Sequence, residues 1–137
     1  MYGLRIKKVK KKELHGDSAR IQGKTIYVSK DTPRSDIFHE VGHSKLGHNV
    51  YKIPMSPSKY AHEEVEADIF AYNHTGYPRH IHMKLRAIFN DLTWREYKIP
   101  KMEALQYIKN AIYKQNTPEY WKEDYKLLRR EATIKRR

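Results

Sequence analysis

The chain has 137 residues, enough for one compact domain and too few for two ordinary ones. Hydrophobic residues make up 39% of it and eleven residues are tyrosine, so the chain can bury a core and is not intrinsically disordered. It contains no cysteine, which excludes thiolate metal ligands, disulfide bonds and cysteine catalysis. The formal net charge of +12 favours contact with nucleic acid, anionic membrane surfaces or acidic proteins, although charge-rich surfaces are also common in heat-adapted proteins.

The sequence has no pattern typical of a membrane span or a secretion signal. Residues 1–14 alternate basic and apolar side chains and lack a continuous apolar stretch. No later segment approaches the roughly eighteen apolar residues that a transmembrane helix needs. We therefore expect a soluble, cytoplasmic protein.

Residues 3–30 show the two-residue period of β-strands. The apolar positions that follow this period are Leu4, Ile6, Val9, Ile21, Ile26 and Val28. Residues 15–18 and the pair Gln22-Gly23 indicate turns. We therefore expect a small antiparallel sheet of two or three strands before residue 31.

Helical patterns follow the predicted sheet. The first helix is expected from Pro33 to about Leu46, with Asp31 or Thr32 as its N-cap and Gly47 ending it. A second helix is expected over residues 58–74. Three further helices are predicted over residues 80–97, 101–115 and 119–134, divided at Pro100 and at 116–118. The predicted fold class is α+β: a small N-terminal antiparallel sheet followed by helices.

Residues 39–43 read H-E-V-G-H and lie inside the first predicted helix. Residues four apart share a helix face, so His39 and His43 can both bind one tetrahedral zinc ion. Glu40 lies beside the first ligand, where its carboxylate can take a proton from a water that zinc has made acidic and pass it to a leaving amine. This chemistry hydrolyses a peptide bond without a covalent intermediate.

A catalytic zinc needs a third protein ligand and one open position. Three glutamates, Glu63, Glu64 and Glu66, are available on the second predicted helix. Glu64 precedes Asp68 by four residues, so these two carboxylates share a face. Glu64 can then bind zinc while Asp68 accepts the other ring N–H of a ligand histidine and fixes its tautomer. Glu63 and Glu66 remain alternatives on the same segment.

The sequence at this point resembles the gluzincins, the thermolysin-like peptidases in which an H-E-x-x-H helix is followed by a helix bearing E-x-x-x-D. It looks most like the short minigluzincins and the ImmA/IrrE-type peptidases, because L-G-H follows the motif and an E-A-D-I-F-A run begins at Glu66. The resemblance covers residues 24–71. It implies zinc as cofactor, Glu64 as third ligand, Asp68 as orienting residue and a sheet-edge strand near residues 23–29 that holds an extended peptide. Residues 1–78 are then a zincin-like catalytic core, with residues 79–137 as a helical region packed on it in one overall domain.

The sequence gives weaker support for other polar residues as zinc ligands or as catalytic groups. His48 lies nine positions from His39, about 180° around a continuing helix, so it faces away unless Gly47 turns the chain. A metzincin pattern fails, because it needs glycine and histidine where this chain has Leu46 and Asn49. Polarisation of the substrate carbonyl is commonly done by Tyr or His, and the candidates are Tyr60, Tyr72, His74, Tyr77, His80 and His82.

Three functions fit these patterns. The first is a zinc metallopeptidase acting on peptide or protein substrates. The second is a regulatory protease of the ImmA/IrrE kind that cleaves one repressor-like partner. The third is a basic nucleic-acid-binding protein with a vestigial zinc site, for which the region after residue 79 supplies positive charge but no base-reading motif. Only the first two need Glu40, Glu64 and Asp68 together. The basic C-terminal tail can block a cleft, as in zymogen-like minigluzincins, or can simply pack.

Overall fold

The computed structural model describes residues 3–15, 17–48, 55–76, 81–115, 117 and 119–134. Within these residues the chain forms three strands and then five α-helices, which confirms the predicted α+β class. It divides into two compact units, Met1–Pro54 with Ala67–Tyr77, and Met55–Glu66 with Pro78–Arg137. The predicted catalytic boundary after residue 78 stays a prediction. Across the described ranges, no helix combines the length and apolarity needed to cross a membrane.

The N-terminal sheet has three short strands in the order β1-β3-β2. These are β1 (Arg5–Lys8), β2 (Ala19–Gln22) and β3 (Thr25–Val28). β2 and β3 form an antiparallel hairpin around Gly23, whose φ of 58° suits a tight turn. β1 runs parallel to β3, with Ile6 opposite Ile26.

Two sequence-based expectations about this sheet are wrong in detail. The sheet is mixed, not wholly antiparallel, because the chain crosses between β1 and β2 through the 3₁₀ helix Lys11–Leu14 and β1 pairs with β3. The strand near residues 23–29 is also not at an edge, since β3 has β1 on one side and β2 on the other. The two-residue period identifies strands but carries no information on their order. In the sheet formed by the described residues, the strands with a free edge for an extended peptide are β1 and β2.

The first helix, α1 (Arg34–Lys45), packs on β2 and β3. Pro33 occupies the N-cap position, where its missing N–H is not needed, and Asp36 lies in the first turn near the positive end of the helix dipole. The core beneath the helix consists of Leu4, Ala19, Ile21, Ile26, Val28 and Val41. The hydrophobic sheet therefore fixes α1 through Val41, inside the H-E-x-x-H motif.

The second helix, α2 (Pro57–Thr75), is continuous over 19 residues, close to the predicted 58–74. Its start belongs to the second compact unit and its end to the first. Ala61, Val65, Ala67 and Ala71 are fully buried. These small side chains let other backbone segments approach α2 closely.

The remaining helices belong to the second unit. They are α3 (Ile81–Asn90), α4 (Lys101–Tyr113) and α5 (Glu119–Thr133), and each packs on the other two. α3 continues into the π-helical turn Asp91–Arg95. The predicted apolar stripes are buried, as are three side chains of α5; the buried set is Leu85, Ile88, Phe89, Leu92, Ala104, Leu105, Ile108, Ile112, Trp121, Tyr125 and Leu128.

Candidate metal centre

The two motif histidines lie one turn apart on α1 and their rings face each other. His39 Nε2 and His43 Nε2 are 3.0 Å apart, and the rings are edge-on with an interplanar angle of 84°. Two ligands at 2.0–2.1 Å from a tetrahedral zinc would lie about 3.3 Å apart. The pair of nitrogens is therefore already near the separation that one shared ion requires.

Glu64 of α2 brings a carboxylate to the two histidines. One ligand atom from each of His39, His43 and Glu64 lies within 4.8 Å of the other two, which makes a cluster that could bind a metal ion. The three predicted ligands are thus brought together, while their coordination of zinc stays a prediction. His43 is buried and the other two are partly buried. Such a site excludes much of the water that would compete for the ligand atoms.

The alternative glutamates have other surroundings. Glu63 is only 9% exposed, and its Oε1 atom has no hydrogen-bond partner. A Glu66 oxygen lies 3.9 Å from His62 Nε2 on the same helix. Among the described residues, neither glutamate belongs to the metal-competent cluster. The four-residue spacing before Asp68 therefore selected Glu64, which is the glutamate that the structure places beside the histidines.

Asp68 lies one turn after Glu64 and contacts the far side of His39. Its Oδ1 is 2.6 Å from His39 Nδ1, and the residue is 4% exposed. A carboxylate accepts only, so His39 donates through Nδ1–H. In the neutral ring this leaves the lone pair on Nε2, the atom that faces His43. The contact fits the orienting role predicted for Asp68.

His48 also reaches the site, although helix periodicity alone placed it on the opposite side. The helix ends at Lys45, Gly47 takes a left-handed φ of 75°, and His48 Nδ1 comes within 2.9 Å of His43 Nδ1. The chain thus turns at Gly47, which is the condition under which the sequence allowed His48 to approach the site. A glycine directly after a helix was the sequence signal for this turn.

Gly42 sets how closely α1 approaches α2. A Cβ atom placed on Gly42 would lie 3.1 Å from Phe70 Cδ1, 3.2 Å from Phe70 Cβ and 3.2 Å from the Ala67 carbonyl oxygen. These distances are shorter than an ordinary contact between non-bonded atoms. The missing side chain therefore allows α2 to pass close to the motif, with Asp68 next in sequence to Ala67.

A hydrogen-bonded pair, Tyr60 and Asp91, lies near Glu64 within the second unit. Tyr60, one turn before Glu64 on α2, donates its hydroxyl to Asp91 Oδ2 over 2.5 Å. Burial, followed by the negative charge of Glu64, raises the pKa of Tyr60 above its ordinary value. Burial also raises the pKa of Asp91, against the opposing hydrogen bond from Tyr60. Burial, followed by the negative charge of Glu96, raises the pKa of Tyr97, which donates its hydroxyl to the Met55 carbonyl oxygen.

The other candidates for polarising a substrate carbonyl are spread over the chain. His74 stacks on Phe38 and its Nδ1 lies 2.9 Å from the Phe70 carbonyl oxygen. Tyr72 is buried and His82 lies on α3. Tyr77 and His80 fall outside the described residues. Among these candidates, Tyr60 lies one turn before Glu64, and the charge of Glu64 contributes to its raised pKa.

A basic cleft lies in the first unit, at the ends of β1 and β3. It has a volume of about 610 Å³. We call it the lysine cleft, because its lining includes five lysines against two carboxylates: Lys7, Lys8, Lys10, Lys11 and Lys30, with Glu13 and Asp31. The lining therefore carries an excess of positive charge.

Comparisons of this chain with protein-family models, curated proteins and solved structures found no match. The site must therefore be interpreted from its own chemistry. Two imidazoles and one carboxylate are the donor set of catalytic zinc sites that keep one position open. The donors present fit that ion.

Proposed function

We propose that this protein is a zinc-dependent metallopeptidase of the gluzincin type, with His39, His43 and Glu64 as ligands. One observation carries the proposal: the ligand atoms of these residues lie within 4.8 Å of one another, on two helices, although Glu64 is 21 residues beyond the motif. A chance H-E-x-x-H in a helix would not bring a remote carboxylate to both rings. The hydrogen bond between His39 and Asp68 supports the same assignment.

Each residue has a distinct part in peptide hydrolysis. Zinc in such a site is a Lewis acid that lowers the pKa of water toward 7 and polarises a carbonyl oxygen. Glu40, next to His39 on α1, takes the proton of the attacking water and delivers it to the leaving nitrogen. Asp68 keeps the His39 proton on Nδ1 and so keeps Nε2 available as a donor atom. Tyr60 is the candidate for hydrogen bonding to the carbonyl oxygen as it gains charge, and its single hydroxyl proton must leave Asp91 Oδ2 to do so.

Replacement of Glu40 by glutamine tests the proposal. The amide keeps the shape of the side chain but cannot take a proton, so hydrolysis of a mixed peptide library should fall by about 10²–10⁴-fold while bound zinc stays at one ion per chain. Glu123→Gln, the same change at an exposed position of α5, is the matched control and should retain full activity. Equal activity of wild type and Glu40→Gln would refute the assigned role of Glu40.

The range of substrates separates a general peptidase from a regulatory protease of one partner. Both use the same residues, so Glu40→Gln inactivates either. A general peptidase cleaves many library peptides, whereas a selective protease cleaves only a folded repressor-like partner. If zinc-loaded wild type cleaves neither the library peptides nor a folded repressor-like protein, the peptidase proposal is refuted.

The lysine cleft supports a second candidate function, weak binding of nucleic acid. Lysines that contact phosphates release counterions, so such binding weakens steeply with salt. The binding and the peptidase activity would use separate residues. Titration of duplex DNA at several salt concentrations tests this candidate, and affinity that does not change with salt would exclude it.

A further inference from the structure

The chain after α1 folds back on the helix in a Schellman motif. Leu46 is the C-cap, Gly47 follows in the left-handed conformation, and His48 comes next. The His48 N–H donates to the His43 carbonyl oxygen over 2.8 Å, and the Gly47 N–H donates to that of Ser44 over 3.2 Å. These are the two hydrogen bonds that define the motif. In many such motifs an apolar contact joins the residues that here are His48 and His43.

In this chain the contact is polar. His48 Nδ1 lies 2.9 Å from His43 Nδ1, and the two rings are inclined at 64° with their centroids 5.1 Å apart. His43 is 3% exposed, so its ring is held in one place. A hydrogen bond between two ring nitrogens needs a proton on one of them and a lone pair on the other.

Metal binding decides which nitrogen carries the proton. His43 Nε2 faces His39 Nε2 and must supply a lone pair to an ion at this site. The proton of the neutral His43 ring then lies on Nδ1, which faces His48. We infer that His48 is a positioning residue for the metal: its Nδ1 accepts the hydrogen bond from His43 Nδ1 and holds the ligand ring in orientation and tautomer. This inference rests on the proposed zinc site.

The two ligand histidines are then oriented in the same way by different groups. Asp68 holds His39 with a charged acceptor at 2.6 Å, and His48 holds His43 with a neutral one at 2.9 Å. Hydrogen bonds to an ionised acceptor are roughly twice as strong as neutral ones. Loss of an orienting partner lowers metal affinity by about 10–100-fold. His48 should lie at the lower end of that range and Asp68 at the upper end.

Zinc affinity, measured by competition with a chelator, tests the inference without any assay of activity. His48→Phe keeps a ring but removes the acceptor, and should weaken zinc binding by about 10-fold. His48→Gln offers an amide oxygen as acceptor and should recover most of the loss. His62→Phe, the same change at a histidine outside the cluster, should bind zinc as wild type does.

The ring protons give a second readout. In zinc-loaded wild type the His43 Nδ1 proton should appear in the NMR spectrum as a protected, hydrogen-bonded imidazole resonance. His48→Phe should lose that protection, and His48→Gln should keep it. Wild-type affinity and protection in His48→Phe would overturn the inference, as would equal losses in the Phe and Gln variants.

These results separate the inference from the proposed function. Zinc binding that depends on His48, in a protein that hydrolyses no peptide, would support the positioning role and refute the peptidase. Hydrolysis with no dependence of zinc affinity on His48 would refute only the positioning role. Failure of wild type to bind zinc at all would refute both.

Discussion

Replacing Gly42 with alanine tests whether close contact between α1 and α2 holds the metal centre together. The new methyl group would lie 3.1–3.2 Å from atoms of Phe70 and Ala67, where ordinary contacts are about 3.5–4.0 Å. The Phe70 ring can rotate, but the Ala67 carbonyl and Phe70 Cβ move only with the α2 backbone. The two helices must therefore separate by a few tenths of an ångström.

Two opposing effects set the change in stability. Alanine in place of glycine inside a helix favours folding by about 0.5–1 kcal/mol. Overpacking of a tight contact opposes folding by about 1–3 kcal/mol. The overpacking term is the larger, so we expect Gly42→Ala to lower the free energy of unfolding by about 1 kcal/mol. Ser44→Ala, an exposed change on the same helix, should instead raise it by up to about 0.5 kcal/mol.

The same displacement should weaken zinc binding. Asp68 follows Ala67 directly and bonds to His39 on α1, so separation of the helices lengthens that hydrogen bond. We expect zinc affinity to fall by about 10-fold, the lower end of the range for loss of an orienting partner. Urea unfolding without metal and a chelator competition for zinc measure the two effects. A Gly42→Ala protein that is more stable than wild type and binds zinc equally well would refute the close helix contact.

Three further predictions concern other parts of the molecule. Asp68→Ala should lower zinc affinity by about 10–100-fold in the same competition, because it removes the acceptor of the His39 proton. Burial raises the pKa of Asp91, so the folded state takes up this proton first as the pH falls. Near pH 7 the wild type carries the buried charge of Asp91 and Asp91→Asn does not, so the free energy of unfolding of the variant, relative to wild type, should be highest there. This advantage of Asp91→Asn should disappear as the pH falls toward the ordinary pKa of aspartate. Alanine at four lysines of the lysine cleft should reduce the salt slope of duplex DNA binding by about one for each phosphate that the variant no longer neutralises.

Each of these predictions has a result that would contradict it, and two have a matched control. Asp17→Ala, at an exposed position before β2, should leave zinc affinity unchanged, and an equally small effect of Asp68→Ala would remove Asp68 from the site. A difference between Asp91→Asn and wild type that does not vary with pH would contradict the raised pKa. Alanine at four lysines of α4 and α5 gives the same change in net charge, and an equal loss of DNA binding there would show that the lysine cleft is not a specific site.

Local patterns in the sequence predicted the helices and much of the candidate site. Pro33 and Gly47 bracket α1, and the four-residue spacing of His39 and His43 places both on one face. The same spacing of Glu64 and Asp68 selected the glutamate that the structure places near the histidines. These features depend on geometry within a single helix, which is why a short stretch of sequence contains them.

Other features could not be predicted fully from local patterns. The parallel pairing of β1 with β3 depends on the crossover between β1 and β2, and strand periodicity is the same for either order. Tyr60 and Asp91 are 31 residues apart, and no local pattern joins them. The contact of His48 with His43 could be predicted only in part, because Gly47 indicates a turn of the chain but not the distance between the two rings.

A crystal structure of the zinc-loaded protein, with anomalous data collected at the zinc absorption edge, tests the proposed zinc site most directly. We expect one anomalous peak per chain, bonded to His39 Nε2 and His43 Nε2 at about 2.0–2.1 Å and to a Glu64 oxygen at about 2.0–2.2 Å. Zinc bound through Glu63 or Glu66, a fourth protein ligand that closes the site, or no zinc between these histidines would contradict it.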